Sequence, residues 1–310
     1  MLASCDIEED ECGCIEEGEE ETSIVLSDIP LFWSVFDSSE GNYTPSKFEN
    51  DYFKGGSKVL EHYFEQKVKD AAMLSDLMNR EDYLAYYTSI RESTESLEGT
   101  TADIRTALSD FKGLYPNAIS GDIYLFMGPF ASGGSVLENG DIAIGVEFFV
   151  QSPEAKTEGL PEYIKDVLKG KEYIPTVVIH ELVHVQQREY ARKIGLDMES
   201  RSLLEMTIAE GVAEFLAYHS TQQFLTDHLS SYVESNESLL RESFMADMHH
   251  SDYSKWLYNT GSSGDIPPDL GYYIGFEIAQ KHFETFGSVE RLLQITDAEA
   301  FLEESEYFQE

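Results

Sequence analysis

The sequence predicts an α+β fold, a mostly helical domain around a small antiparallel sheet. Three observations carry this. Long stretches place apolar residues at helical spacing, as Leu60, Tyr63, Phe64 and Val68 do. Two short runs, DIYLFMG from Asp122 and DIAIGVEFFV from Asp141, are β-rich and bounded by glycine and asparagine, so they read as neighbouring antiparallel strands. Helical sequence surrounds them on both sides, a segregation that suits α+β better than an alternating chain.

Taken in order, Asp28 opens an aromatic entry, DIPLFWSVFD, followed by helices expected over 57–78, 80–97 and 101–114. The tyrosines and phenylalanines there are read as core. After the two strands the chain turns helical at LPEYIKDVL, then over 173–192, 200–224, 236–247 and 270–286. With 310 residues, 42% of them hydrophobic, a substantial core is within reach. The excess of 59 acidic over 21 basic residues gives a formal charge of −38, which opposes binding to nucleic acid and to anionic membrane surfaces. No apolar run approaches the roughly 18 residues that a spanning helix needs.

Residues 1–23 differ from the rest and are expected to form a disordered tether, leaving 24–310 as the folded domain. Ten acidic residues and no basic one lie between Asp6 and Glu21, the composition of a self-repelling tail. All three cysteines, Cys5, Cys12 and Cys14, lie there too, so no disulfide staples the fold. The opening MLASC resembles the end of a bacterial lipoprotein signal, which makes Cys5 the expected lipidation point. The basic and apolar segments that precede such a cysteine are missing, so the sequence is expected to begin at a downstream start or to have lost an upstream segment. Cys12 and Cys14 take no assigned role.

The chemistry concentrates at Thr176 to Gln187, TVVIHELVHVQQ, where two histidines and a glutamate interrupt an apolar run. Such groups need partners once taken out of water. The run from Tyr173 to Arg192 holds no glycine, and its one proline, Pro175, sits where a first helical turn tolerates it. On that helix His180 and His184 share a face, so two imidazole nitrogens can converge on one cation. Glu181 projects beside the pair, within reach of a metal-bound water. This is the H-E-x-x-H arrangement of zinc hydrolases.

A catalytic zinc takes three protein ligands and keeps a fourth position open. Downstream, Glu199, Glu205, Glu210 and Glu214 are available. The segment LLEMTIAEGVAEFLAY favours Glu210, because Ala209, Gly211 and Ala213 surround it with small side chains and let its helix approach the motif helix. Glu214, one turn on, could accept the free ring N–H of a liganding histidine, with solvent exposure as the alternative. His249 and His250 are adjacent, diverge on a helix and are read as surface residues.

H-E-L-V-H followed by A-E-G-V-A-E-F resembles gluzincin-type metallopeptidases, whose third ligand is the glutamate of an E-G-x-A element. More closely, LFWSVFD, YFKGGSKVLEHYF, DIAIGVEFF, GLPEYI, VVIHELVHVQQ, AEGVAEFLAY and PPDLGYYIGFEIAQ resemble predicted zinc-dependent proteases related to the gliding-motility lipoproteins of gliding bacteria. The resemblance implies a zincin-like metallopeptidase domain, a Zn²⁺ cofactor, and an exported protein held at the envelope by an N-terminal lipid.

The expected function is hydrolysis of peptide bonds in a peptide or protein substrate, with Glu181 as general base and Tyr272, Tyr273 or His219 as candidate donors to the developing oxyanion, a structural role being the alternative for each of the three. The strand at 141–145 is the expected edge for an extended substrate, with ordinary core packing as the equal alternative. The alternative is an exported surface lipoprotein that uses the zinc fold as a structural or binding module in a motility or secretion assembly. Hydrolysis of a non-peptide amide is a third reading.

Overall fold

A computed structural model describes residues 22–196, 201–259 and 266–308. Its sheet has four strands, β1 (Ile24–Val25), β2 (Ile123–Phe126), β3 (Gly134–Val136) and β4 (Ile142–Gly145), in the order β1-β2-β4-β3. Pairing is parallel between β1 and β2 and between β2 and β4, and antiparallel only between β3 and β4. The antiparallel expectation is thereby corrected to a mixed sheet. The reason lies in the SGGSV segment between the two expected strands, which was not expected to be a strand. It folds as β3 and closes a hairpin with β4 through Asn139 and Gly140, whose φ of 86° only glycine adopts freely. With one side of β4 filled by its hairpin partner, β2 pairs along the other, in parallel.

The same topology corrects the expected substrate edge. β4 lies inside the sheet and is buried along its whole length. The outer edge near it is β3, and that edge is not a bare template. Its Gly134 carbonyl accepts from the hydroxyls of Ser132 and Ser135 (2.7 Å), and its Val136 carbonyl accepts from Arg188 at 2.8 Å. Capping outward carbonyls in this way blunts an edge against further strands.

The first helical half is an aromatic core, as expected. Phe32, Trp33, Phe48, Tyr52, Tyr86 and Tyr87 are fully or almost fully buried. The helix expected over 57–78 is broken: an α-helix at Lys58–Tyr63 widens into a π-type turn at Phe64–Val68, stops at Lys69 with φ 61°, and resumes at Ala72–Met78. Helices at Glu81–Glu95 and Glu98–Leu114 follow. Several tyrosines spend their hydroxyls on the loop after β2. Tyr52 donates to Met127 O at 2.6 Å, and Tyr87 donates to Gly128 O. The fully buried Glu147 accepts from the Gly128 and Phe130 amides at 2.7 and 3.0 Å, and burial pushes its carboxyl up to about 7.

The motif helix runs Ile174–Ile194, begins with Pro175 in its first turn and ends at Gly195 with φ 69°. One side packs on β3 and β4, the other on the helix Leu203–Thr221. That second helix opens with a capping box in which the Ser202 side chain accepts from the Glu205 amide and the Glu205 carboxylate accepts from the Ser202 amide at 2.7 Å. Gly211 does permit a close approach, but to the helix Leu270–Phe286 and not to the motif helix. A Cβ on Gly211 would fall 1.9 Å from the carbonyl carbon of Gly275. Among the described residues no helix is long and apolar enough to cross a membrane.

Gly211→Ala should therefore lower stability in urea unfolding by about 3 kcal/mol or more, since backbone and not a flexible side chain must yield. Gly113→Ala, at a helical position with nothing within 4 Å, should be neutral or gain up to about 1 kcal/mol.

Candidate metal centre

His180 and His184 stand one turn apart on the motif helix with ring centroids 4.8 Å apart. Their Nε2 atoms are 3.2 Å apart, and each lies 3.1 Å from Oε2 of Glu210 on the neighbouring helix. A tetrahedral zinc with bonds of about 2.0–2.1 Å would space its ligand atoms about 3.3 Å apart. The triangle is within a few tenths of that spacing. These three residues form a group whose candidate ligand atoms all lie within 4.8 Å of one another.

The hydrogen bonds around the triangle show which ring atoms face it. His184 donates from Nδ1 to Oε1 of Gln187 at 2.8 Å, and Gln187 donates from Nε2 to the Ala209 carbonyl at 3.0 Å. A carbonyl only accepts, so the amide is oriented, the ring donates from Nδ1, and Nε2 is the His184 atom that faces the triangle. At His180 the buried Nδ1 has no hydrogen-bond partner, and Oε2 of Glu214 lies 3.6 Å from it. A cation on Nε2 would fix that ring's proton on Nδ1, beside the carboxylate. Glu214 is buried and held by the Thr226 amide, which donates to Oε1 at 3.0 Å. Two imidazoles and a carboxylate, one ring bonded to Gln187 and the other with the Glu214 carboxylate beside it, fit a divalent ion of the zinc type.

Electrostatics agree. Burial acts to lower the His180 pKa, but the carboxylates of Glu210 and Glu214 outweigh it and hold the ring at about 10. Glu210 is driven the other way: burial opposes its charge, and the two histidines hold it well below the usual carboxylate range.

A groove of about 510 Å³ opens beside the triangle and reaches it at His180. Phe130, Phe148 and Tyr163 are among its lining residues, together with His180, Glu181 and Tyr272. Glu181 stands outside the triangle and rests on β3, where a Cβ on Gly134 would fall 2.5 Å from its Oε1. Glycine is required there for the carboxylate to keep its place. Of the other sequence candidates, Tyr272 is brought in, with its ring 6.2 Å from that of His180 and its hydroxyl held far above the ordinary tyrosine pKa by burial and by Glu210.

Tyr273 and His219 are not brought in, which corrects both expectations. The Tyr273 ring packs on Phe224 at 5.6 Å, and its hydroxyl meets Ser230. Neighbouring helical residues diverge by about 100°, so Tyr272 and Tyr273 cannot serve one site. The His219 ring packs between Phe215 and Phe283 in a separate aromatic recess. Glu205 is occupied as a cap, and His249 and His250 are exposed. Cys5, Cys12, Cys14 and Glu199 lie outside the described residues.

Sequence reasoning missed Gln187, Thr226 and Tyr258. Gln187 was legible, three residues beyond His184 on the same helix face. Tyr258, whose hydroxyl donates to Oε1 of Glu210, sits in an irregular segment with φ 55° and had no periodic signal.

Fold and site together define a helical α+β protein with a two-histidine, one-carboxylate constellation suited to a divalent metal. The chain matches the family model for gliding motility protein GldB over residues 29–309, and it belongs to that family. The family is one of lipoproteins, and the chain is accordingly an exported, lipid-anchored protein of the cell envelope. No curated protein and no solved structure matches it.

The raised His180 pKa gives a signed prediction for protein stripped of metal by chelation. With a folded value of about 10 above the ordinary 6.5, the ring's contribution is fully present below pH 6.5 and is lost as pH rises through 10. Urea unfolding should show stability falling across that window by up to about 1.4 kcal/mol per pH unit. His180→Ala should remove this part of the slope.

Proposed function

We propose that this protein works as an envelope lipoprotein in a gliding-motility or secretion assembly, and that it uses a zinc-centred groove to hold an extended segment of a partner protein. The convergence of His180, His184 and Glu210 beside an open groove carries the reading. Family membership supports the assembly role. The groove volume is of the scale that takes a small ligand or a few residues of chain. Its aromatic lining of Phe130, Phe148 and Tyr163 suits a segment with bulky apolar side chains.

Zinc would be held by the Nε2 atoms of His180 and His184 and by one oxygen of Glu210. Glu214 and Gln187 would orient the two rings. Isolated protein should carry one zinc per chain by elemental analysis, lose it in Glu210→Ala, and retain it in Glu205→Ala, which should cost only the cap, about 1 kcal/mol.

A second reading is favoured by one specific residue. Glu181 stands in the groove without being a ligand, and holding a partner segment gives it no task. In a zinc metallopeptidase it has one. Bound zinc would supply the charge that activates water. Glu181 then accepts the water's proton and returns it to the departing amine. Tyr272, half-buried and lining the groove, would donate to the developing oxyanion. An amide that is not a peptide would meet the same groups.

Mass-spectrometric profiling of a diverse peptide mixture separates the two. The assembly reading expects the zinc-loaded protein to retain peptides uncleaved and Glu181→Gln to behave alike. The peptidase reading expects cleavage by the parent and none by the variant. Neither retention nor cleavage by zinc-loaded protein would overturn the groove as the working surface.

A further inference from the structure

Tyr258 occupies an unusual position. Its ring is 56% exposed, yet its hydroxyl reaches inward to Oε1 of the buried Glu210. Its φ of 55° is one that an aromatic residue adopts only at a cost in conformational energy. The surrounding chain is braced to keep it there. Asn259 accepts from the Asp269 amide at 2.7 Å and donates from Nδ2 to the Lys255 carbonyl at 2.7 Å, while its own amide donates to Asp269 at 3.3 Å. Tyr253 and Tyr272 stand edge-on to the ring, each at 6.0 Å between centroids.

The two oxygens of Glu210 have separate tasks. Oε2 faces both histidines, and Oε1 is taken by the Tyr258 hydroxyl. A carboxylate free at both oxygens can swing to grip a metal with the pair and fill the position that a groove ligand needs. We propose that Tyr258 is a positioning residue of the metal centre: by holding Oε1 it restricts Glu210 to one oxygen and keeps the fourth coordination position open toward the groove. The proposal rests on the zinc reading above. It also accounts for the exposed ring, since Tyr258 lines the groove and a segment seated there passes against it.

Cobalt(II) replaces zinc in such sites, and its visible absorption is strong when four-coordinate and weak when five-coordinate. The full chain loaded with one cobalt should absorb strongly. Tyr258→Phe, which keeps the ring and removes the hydroxyl, should lose much of that absorption and bind zinc about 10–100-fold more weakly. Tyr253→Phe should leave both unchanged. Asn259→Ala, which loosens the brace but keeps the hydroxyl, should shift both in the same direction to a smaller extent. Matching unfolding curves of the chelated parent and variants would exclude general damage as the cause. Unchanged cobalt spectrum and zinc affinity in Tyr258→Phe would overturn the proposal alone. Failure of the parent to take cobalt, or equal uptake by His180→Ala, would overturn the zinc reading and the proposal with it.

Discussion

Two imidazole nitrogens and a carboxylate oxygen packed at 3.1–3.2 Å and shielded from water repel one another unless positive charge lies among them. Much of the structure serves that constraint. Protons can meet it, as the raised His180 and depressed Glu210 values express. A divalent cation meets it with more charge and a directed geometry. The His184 ring, held through Nδ1 by Gln187, turns Nε2 toward the other two groups, the orientation a metal ligand requires.

The constraint is met across two helices, so their packing is part of the site. The motif helix supplies both histidines, the helix Leu203–Thr221 supplies Glu210 and Glu214, and the helix Leu270–Phe286 locks the second in place through Gly211 and Gly275 and adds Tyr272. Part of the groove lining comes from the segment that the aromatic half supports. Tyr52 and Tyr87 donate to the loop after β2 and Glu147 accepts from it, so the segment bearing Phe130 is fixed by buried side chains. The first half of the chain thus shapes what the second half can hold.

Much of this was legible in the residues. The periodic apolar runs located the main helices, and the motif spacing placed His180 and His184 on one face. Small neighbours around Glu210 picked it over Glu205, whose task as a cap could also have been read from Ser202 three residues before it. The sheet misled because β3 is three residues of glycine, serine and valine, too short to show alternation, and it is β3 that forms the antiparallel pair with β4. Gly211 announced a close approach without naming its partner, since a glycine records that backbone is near and not which backbone. Tyr258 was invisible because its place depends on a braced irregular turn and a left-handed φ, neither of which leaves a pattern in sequence.

The central claim is that His180, His184 and Glu210 form a zinc site. Anomalous diffraction at the zinc edge, from crystals of protein purified without added metal, tests it most directly. The account predicts one strong peak about 2.0–2.2 Å from His180 Nε2, His184 Nε2 and Glu210 Oε2. An absence of signal there after zinc is supplied, with the ion bound elsewhere or not at all, would contradict it.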